Sequence, residues 1–555
     1  MNRHNGLLID RGPLLVALAA AAVGLYLVLA MPPGFFSGDE GVKLIQSRSL
    51  LENHWRSPAI PYPGADVDPR ARYLPLRPPF VWQHEGSWYG VYSLLYTSVT
   101  ALAWAAAGLR GVFLVSWLGA AAALLVLARL ATRALGAQWA TAVVALTAAG
   151  SPLLLYGTVN FEHTWAATAV LASLTLLARS HIDGRSCAGA GALLGLGAVI
   201  RPELYAFPVG IAAFGVVLWG WRPPTLRRLA WFAAGMGLVT GIDLLSKAVL
   251  FGSFHPNLAA SDLPPTTYAI NLTRLVPPEV GARGLAVLAA ALLIGVLPAR
   301  GRPSTVAKCL AGLVLMMVLA YLTWQGLAAV TPSSRADTRT LIGLFGATPL
   351  AMVGLLRGFG SNRERDRSLA AACASAGAAF AATVVAVRIR GFIGGLELGS
   401  RYLLPVVPLF LVATADFVRQ QRRGWQRAAV VLGCLLLTFV SLRATLANGV
   451  ATLLIRQDST ELMAAIEESG IDDVVTRHFW IPQLMAPLYF DKRFYLYPDD
   501  KLMRRLLKRD HRQVVGVDLL VGVYASDAVE VTRQRILLQP ARVLSYRLSP
   551  AGSGP

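Results

Sequence analysis

Apolar runs long enough to cross a membrane recur along most of this chain. Each run holds about 17–22 residues, and a helix of that length crosses a hydrocarbon core of about 30 Å. The first run, from Pro13 to Met31, has no small-residue cleavage site before the polar sequence that follows it. We therefore expect it to be a retained helix and not a removed signal peptide. The pattern predicts an all-α polytopic membrane protein.

Composition supports this class and excludes others. Of 555 residues, 55% are hydrophobic and only 15% are charged, whereas a soluble protein carries about a quarter charged residues. The net charge of +20 is concentrated in arginine clusters between the apolar runs, as the positive-inside rule expects. We therefore predict no nucleic-acid partner. The cysteines lie within or beside apolar runs and are predicted to be core residues, with neither disulfide nor metal spacing: Cys187, Cys309, Cys373 and Cys434.

Length and hydropathy together predict about thirteen transmembrane helices. Their approximate ranges are 13–31, 112–130, 139–157, 164–180, 187–200, 204–221, 229–249, 284–299, 309–330, 340–357, 369–387, 402–418 and 428–447. The N-terminus is predicted to be cytoplasmic, since it carries Arg3 and Arg11.

One more apolar stretch, residues 91–109, is assigned by the charge bias. All the arginine clusters fall on the cytoplasmic side only if this stretch does not cross. It contains Tyr92, Ser93 and Tyr96, which make it amphipathic. We therefore predict a helix that lies in the membrane interface on the outer face.

Two regions follow from these assignments. Residues 1–447 are predicted to form the transmembrane domain, with a first outer loop at 32–111. Residues 448–555 contain short helical and strand-like pieces, among them the segment Phe494–Tyr497 and Val514–Leu520. They predict a small soluble α/β domain on the outer side of the membrane.

Polar and charged side chains gather at the outer ends of the predicted spans. An acceptor hydroxyl can give its proton to a carboxylate, arginine can hold a phosphate with two hydrogen bonds, and a Glu/His group can bind a divalent cation. The sequence therefore predicts an active site there. Its candidate residues are Asp39 and Glu40 for catalysis, Glu162, His163, Arg201, Glu203, Arg401 and Tyr402 for substrate binding, and His84 and Glu85 for a metal.

Several of these residues also have a purely structural interpretation. Asp39 could cap the helix that follows it, or pair with Lys43 one turn later. Glu162 and His163 could begin a helix among lipid headgroups. Arg201 and Arg401 could extend to lipid phosphates, as arginines near the end of a span often do.

Four segments, taken in order, resemble the GT-C superfamily of integral-membrane glycosyltransferases. The similarity is strongest to bacterial members related to protein O-mannosyltransferases and aminoarabinose transferases, and it covers about residues 13–420. The individual motifs are short, and their order and topology carry the resemblance. The segments are Gly38-Asp39-Glu40-Gly41-Val42-Lys43, Ser151-Pro152-Leu153 through Glu162-His163, Gly195 through Arg201-Pro202-Glu203, and Gly399-Ser400-Arg401-Tyr402-Leu403-Leu404-Pro405.

The resemblance implies roles for several residues. Asp39 matches the catalytic aspartate of the first outer loop, which acts on an acceptor hydroxyl while C1 of a lipid-linked sugar is attacked. Glu162 matches the second acidic position, which assists acceptor or metal binding. Glu85 falls near the loop end where some relatives place a metal ligand or a lysine. The expected Lys-Pro-Pro element is absent, although Arg77-Pro78-Pro79 stands a few residues earlier. The resemblance therefore does not decide whether a metal binds or which residues hold the phosphate.

The function implied is an inverting transfer of a sugar from a polyprenyl-phosphate donor to an extracytoplasmic hydroxyl, with Asp39 as general base. Arg201 and Arg401 are the candidates for the donor phosphate, and the acceptor is a lipid, a glycan or a protein. No cofactor is required by the sequence, and a divalent metal ion is left open. The expected location is the bacterial inner membrane. Two other classes remain: a transporter or lipid flippase, and a non-catalytic membrane assembly subunit.

Overall fold

A computed structural model describes residues 11–179, 183–253, 347–359, 368–387, 398, 401–421, 425–498, 501–502, 505–506, 514–518, 528–536 and 539–546. Some predictions lie outside these residues. They include the spans near 284–299 and 309–330, most of the loop before Arg401, and Cys309. Of the other cysteines, Cys187 and Cys373 are buried, and all three are free thiols.

The described residues are mainly helical. The helices are α1 (Arg11–Ala30), α2 (Gly38–Glu52), α3 (Leu94–Leu135), α4 (Ala137–Ala149), α5 (Leu153–Tyr156), α6 (His163–Leu177), α7 (Gly184–Ile200), α8 (Phe207–Trp219), α9 (Pro223–Phe251), α10 (Met352–Phe359), α11 (Leu369–Val387), α12 (Val406–Gln420), α13 (Trp425–Glu468) and α14 (Trp480–Leu484). Short 3₁₀ helices span Pro202–Ala206, Pro349–Ala351, Arg401–Leu403 and Ala486–Leu488. A hairpin of β1 (Val81–His84) and β2 (Ser87–Gly90) lies in the first loop.

Several helices are long and apolar enough to cross a membrane. Within the described part of the chain there are five: Arg11–Ala30, Leu94–Leu135, Pro202–Trp219, Pro223–Phe251 and Val430–Glu468. Ala137–Ala149, His163–Leu177, Gly184–Ile200 and Leu369–Val384 are shorter apolar helices. The protein is therefore an integral membrane protein. The total of about thirteen spans and the cytoplasmic N-terminus stay predictions.

Helix α3 is sharply kinked near its first third. Ala107 and Gly108 have non-helical backbone angles, and Gly108 has a φ of 57°, which glycine adopts without steric cost. The part before the break, residues 94–106, is about 20 Å long at 1.5 Å per residue, short of a hydrocarbon core of about 30 Å. The break supports the predicted interfacial helix at 91–109, whose position in the interface stays a prediction.

The C-terminal residues form a five-stranded mixed sheet. Its order is β4-β3-β5-β7-β6, built from β3 (Asp473–Thr476), β4 (Arg493–Leu496), β5 (Val514–Asp518), β6 (Ala528–Ile536) and β7 (Gln539–Tyr546). Strand β3 is parallel to β4 and β5, and β7 is antiparallel to β5 and β6. Strands occur where the sequence predicted strand-like pieces. Helix α13 runs unbroken through residues 447 and 448, so the predicted domain boundary falls inside a helix.

Helix α2 lies between the membrane helices and the C-terminal residues. Its Val42 and Ile45 share an apolar core with Phe35 and with Ile481 and Leu484. Twelve of the residues in α2 are buried, from Asp39 to Leu50, although the helix has several charged side chains. Those charges are therefore enclosed by protein, and their partners define the site.

Candidate active site

Ser37 is the N-cap of helix α2, and Glu40 holds this end of the helix in place. Glu40 Oε2 accepts hydrogen bonds from the backbone N–H groups of Phe36 (2.7 Å) and Ser37 (2.9 Å), and its Oε1 accepts one from Asn160 N (2.6 Å). Burial raises the pKa of Glu40, although these N–H groups and the charge of Arg456 act in the opposite direction. Both oxygens are thus committed to the backbone. The prediction that Glu40 is catalytic is not supported by this geometry, which gives it a structural role.

Asp39 has different partners, because it lies about 100° further round the helix than its neighbour. Arg401 Nη1 donates to Asp39 Oδ2 at 2.5 Å, and Tyr92 Oη donates to Asp39 Oδ1 at 3.1 Å. The residue is 8% exposed. Asp39 is not the N-cap of α2, since Ser37 has that position. That structural alternative is wrong.

Lys43 and Glu162 form the centre of a second group of charges. Lys43 Nζ lies 2.6 Å from Glu162 Oε2, and Arg201 Nη1 lies 2.6 Å from Glu162 Oε1. Arg201 Nε also donates to both carboxylate oxygens of Glu203, at 2.9 and 3.0 Å. The ion pair of Lys43 is therefore made with Glu162. The alternative that Lys43 pairs with Asp39 is replaced by this contact across two elements.

The electrostatics of this second group favour an ionised Glu162. Burial raises its pKa, but the positive charges of Lys43 and Arg201 outweigh that effect and lower the pKa to about 2. Three cations (Lys43, Arg201 and Arg401) and three carboxylates (Asp39, Glu162 and Glu203) then balance in one buried region. Such a balance is what makes charges tolerable away from water.

Aromatic rings line the same region. The guanidinium carbon of Arg401 lies 5.1 Å from the ring centre of Tyr402, and that of Arg201 lies 5.4 Å from it. Lys43 Nζ lies 4.2 Å above the Phe161 ring. The His163 ring contacts Phe161 and Tyr402, with centroid distances of 5.4 and 6.1 Å. These rings stabilise the cations by cation–π contacts and exclude water from around them.

Short irregular segments position most of these side chains. Glu162 caps α6 and Arg201 ends α7, where Pro202 prevents the α-helix from continuing. Arg401 and Tyr402 belong to a 3₁₀ helix directly before α12. Arg201 and Arg401 are buried (9% and 6% exposed), so the alternative that they extend to lipid phosphates is wrong. The structure thus brings six of the predicted residues together: Asp39, Glu162, His163, Arg201, Arg401 and Tyr402, with Glu203 beside Arg201.

Two contributors were missed at the level of sequence. In the sequence Tyr92 is one polar residue of an amphipathic stretch, but in the structure its hydroxyl contacts Asp39. Its backbone is fixed to α2 by Gln46, whose amide Nε2 donates to Tyr92 O (3.0 Å) and whose Oε1 accepts from Tyr92 N (3.3 Å). Asn160 joins the turn before α6 to α2. Its backbone N–H donates to Glu40 Oε1, and its side-chain amide donates to the backbone oxygen of Glu40. No local pattern marks either residue, since both contacts are long-range.

The predicted metal ligands lie in the hairpin of the first loop. His84 ends β1 and Glu85 follows in the hairpin turn, with 3.9 Å between His84 Nε2 and Glu85 Oε1, and the Glu85 side chain is 85% exposed. Among the residues that the structure describes, no group of three His, Cys, Asp or Glu side chains could hold a metal ion. Asp39 and Glu162 are already paired with cationic side chains. A divalent metal at His84 and Glu85 therefore stays a prediction.

Several solved structures are similar to this chain. ArnT from Cupriavidus metallidurans, in a structure bound to undecaprenyl phosphate, is 15% identical, with 98% of this chain and 99% of that chain covered and a TM-score of 0.46. The oligosaccharyltransferase AglB from Archaeoglobus fulgidus, in complex with an inhibitory peptide and a dolichol-phosphate, is 13% identical over 91% of this chain and 69% of that chain, with a TM-score of 0.47.

A third structure reaches a higher score. It is the Archaeoglobus fulgidus oligosaccharyltransferase tethered with an acceptor peptide containing the NVT sequon, 12% identical over 91% of this chain and 69% of that chain, with a TM-score of 0.50. No protein-family model matches the sequence, and no curated protein matches it. The likeness to this third structure shows that the chain shares the fold of that oligosaccharyltransferase.

Proposed function

We propose that this protein is an inverting glycosyltransferase that uses a polyprenyl-phosphate sugar as donor and an extracytoplasmic hydroxyl as acceptor. The single observation that carries the proposal is the junction of an apolar cavity with the buried Asp39 carboxylate. Tyr92 forms this junction, because it lines the cavity and its hydroxyl donates to Asp39.

The cavity suits a hydrocarbon ligand. It has a volume of about 410 Å³ and lies between the start of α3 with the residues just before it, helix α7 and the C-terminal half of α9. Leu95, Leu196 and Ile242 are among its lining residues. Pockets of this size hold small-molecule ligands, and apolar walls favour the burial of a lipid chain. A donor whose chain occupies the cavity would have its phosphate end near Tyr92 and Asp39.

A charged pair in the cavity wall supports a phosphate group in this ligand. Lys247 Nζ donates to Asp243 Oδ2 at 2.6 Å, and both side chains are only 15% exposed. Charges in a membrane helix are costly and are usually retained for function. Lys247 lies near the C-terminal end of α9, which ends at Phe251. In the proposed complex Lys247 attracts the donor phosphate. Before the donor binds, Asp243 neutralises the charge of Lys247.

The proposed reaction follows from the position of Asp39. The acceptor hydroxyl gives its proton to the Asp39 carboxylate as its oxygen forms a bond with C1 of the sugar. The bond between C1 and the phosphate oxygen breaks, and the electron pair leaves with the phosphate. Attack from the face opposite the leaving group inverts the configuration at C1. Arg401 and Tyr92 fix the orientation of the carboxylate, which must be held close to its reacting position.

The nearby cations would stabilise the departing phosphate. Arg401 contacts Asp39 directly and carries further N–H donors in a planar fork that matches phosphate oxygens. Lys43 and Arg201 lie in the same buried region, where Glu162 holds both cations in position. Preorganised charges of this kind supply much of the rate enhancement in group-transfer enzymes.

The other two classes have less support. A transporter needs charged residues near mid-membrane depth and interrupted helices, but Asp243 and Lys247 lie in the last three turns of α9 and pair with each other. A non-catalytic assembly subunit would have no use for a carboxylate buried against an arginine beside an apolar cavity. Such a subunit would also tolerate the loss of Asp39.

Transfer activity with and without Asp39 tests the proposal. Membranes or purified protein are supplied with radiolabelled polyprenyl-phosphate sugars, and the wild-type protein is compared with Asp39→Asn. We expect a loss of at least about 100-fold, since a positioned general base contributes about 10²–10⁴-fold. Asp472→Asn is the matched control, because that side chain is 63% exposed in the C-terminal region.

The outcomes separate the classes. Transfer by the wild-type protein that disappears only in Asp39→Asn supports the proposal. Unchanged transfer by Asp39→Asn would remove the base assignment. A wild-type protein that transfers no sugar from any donor supplied would favour the transporter or assembly class.

A further inference from the structure

Two glycines on either side of the Asp39-Glu40 pair lie against the C-terminal residues. A Cβ atom added at Gly41 would lie 1.6 Å from the backbone oxygen of Gln483 and 3.1 Å from the Cβ of Ala486. A Cβ atom added at Gly38 would lie 2.1 Å from Oε1 of Gln483. Neither glycine has a positive φ, so backbone freedom does not explain them. Close packing does.

The 480–491 segment, which contains α14 and the 3₁₀ helix Ala486–Leu488, contacts α2 at both ends. Near the start of α2 it approaches Gly38 and Gly41 through Gln483, which is 1% exposed. Near the end of α2, Arg48 Nη1 donates to the backbone oxygen of Pro487 and lies 3.5 Å from Asp491 Oδ2. The Arg48 guanidinium also lies 4.8 Å from the ring centre of Phe490. Helix α2 is therefore fixed along its length by this segment.

The spacing of residues on α2 separates its faces. Gly38, Gly41 and Arg48 recur at intervals of three and seven and lie on one face, towards the 480–491 segment. Asp39 and Lys43 are four residues apart and lie on another face, towards Arg401 and Glu162. A shift of the helix away from the C-terminal segment would therefore move Asp39 relative to Arg401 and Tyr92.

We infer that the 480–491 segment is part of the catalytic centre, and that Gln483 is a positioning residue that sets the location of Asp39 by packing on Gly38 and Gly41. This inference rests on the proposed function. It goes further by making the C-terminal sheet region, in which Gln483 is packed, a necessary component of the transferase.

Gly38 and Gln483 allow a paired test, because the closest contact at Gly38 is the end of a side chain. In Gly38→Ala the new methyl group meets Gln483 Oε1, and either the Gln483 amide, which is 1% exposed, or α2 itself must shift. We expect kcat to fall about 10- to 100-fold, since a displacement of about 1 Å at a reacting group can cost about 10² in rate. The KM for the donor should change little, because none of the residues that line the apolar cavity belongs to α2. Adding Gln483→Ala to Gly38→Ala removes the obstructing amide and should restore most of kcat.

The controls separate positioning from stability. Gly237→Ala places a methyl group where no atom lies within 4 Å and should behave as wild type. Thermal unfolding of the two single variants and the double variant measures the packing contact without reference to activity. A Gly38→Ala protein with the wild-type kcat would overturn the inference, whatever its stability. So would a double variant no more active than Gly38→Ala.

The activity of the wild-type protein distinguishes a failure of this inference from a failure of the proposed function. If it transfers sugar and Gly38→Ala does so equally well, the inference fails and the proposed function stands. If the wild-type protein transfers no sugar, the proposed function fails, and the positioning role of Gln483 fails with it.

Discussion

Lys43 Nζ lies 2.6 Å from Glu162 Oε2, and the side chains are 1% and 3% exposed. This ion pair joins α2 to the residue that begins α6, which is far away in sequence. Arg201 contacts the other oxygen of the same carboxylate. The position of α2, and with it that of Asp39, therefore depends on a buried electrostatic contact as well as on apolar packing.

Replacing Lys43 by methionine is expected to destabilise the protein strongly. Methionine keeps the volume but leaves Glu162 with Arg201 as its single cationic partner, and removing one member of a buried pair costs about 3–5 kcal/mol. Thermal unfolding of the detergent-solubilised protein measures the effect. Lys501→Met serves as control, since Lys501 is exposed. Equal unfolding temperatures for Lys43→Met and the control would show that the pair contributes nothing net.

The sequence predicted the members of this site better than their partners. Alternation of spans places Asp39, Glu162, Arg201 and Arg401 on one side of the membrane, and the structure brings all four together. Helical spacing puts Lys43 on the same face as Asp39, which suggested a local pair. The actual partner, Glu162, comes from another element, and no local rule predicts a contact between elements.

The contacts of Glu40 and of the flanking glycines could not be predicted from local sequence either. Adjacent carboxylates look equivalent in a sequence, but one helical step turns Glu40 to the backbone of Asn160 and Asp39 to Arg401. No local pattern marks Gly38 and Gly41 as packing positions, which only the approach of Gln483 reveals. Local sequence predicts that this segment is helical. Which residue from another part of the chain contacts each face of the helix is decided by tertiary packing.

Stability should fall as the pH is lowered into the acidic range. Burial acts to raise the pKa of Glu162, but Lys43 and Arg201 lower it from 4.5 to about 2 in the folded protein. A carboxylate with a depressed pKa contributes stability above its unfolded pKa and loses it as the pH falls towards the folded one. The contribution is about 3 kcal/mol at about 1.4 kcal/mol per pKa unit. It should disappear progressively between about pH 4.5 and pH 2.

Glu162→Gln provides the comparison for this pH dependence. The variant carries no titrating carboxyl group at this position, so its unfolding temperature should fall less steeply between pH 5 and pH 3 than that of the wild type. Parallel curves would mean that Glu162 titrates alike in the folded and unfolded states.

Tyr92→Phe should reduce the rate while leaving the fold intact. The ring still lines the apolar cavity, but the hydrogen bond from the hydroxyl to Asp39 Oδ1 is lost. Burial, and then the charge of Asp39, raise the pKa of Tyr92 well above its usual value, so the hydroxyl is a neutral donor at pH 7. We expect kcat to fall about tenfold, since one hydrogen bond to a charged group contributes about 1.5–3 kcal/mol. Tyr26→Phe, at a side chain that is 69% exposed, should leave kcat unchanged, and a similar fall there would refute the role of the Tyr92 hydroxyl.

Lys247→Met should weaken donor binding more than it slows the reaction. The ammonium group lies in the wall of the apolar cavity and is neutralised by Asp243 at 2.6 Å. If it attracts the donor phosphate, its loss should raise the KM for the polyprenyl-phosphate sugar about tenfold, equivalent to about 1.4 kcal/mol, with kcat changed far less.

Asp243→Asn is the matched variant, because it leaves Lys247 charged and without its carboxylate partner. Its donor KM should equal or fall below that of the wild type. A rise in KM for Asp243→Asn as large as that for Lys247→Met would mean that the pair only supports the end of α9, and the phosphate would then have to bind to Arg401 and its neighbours alone.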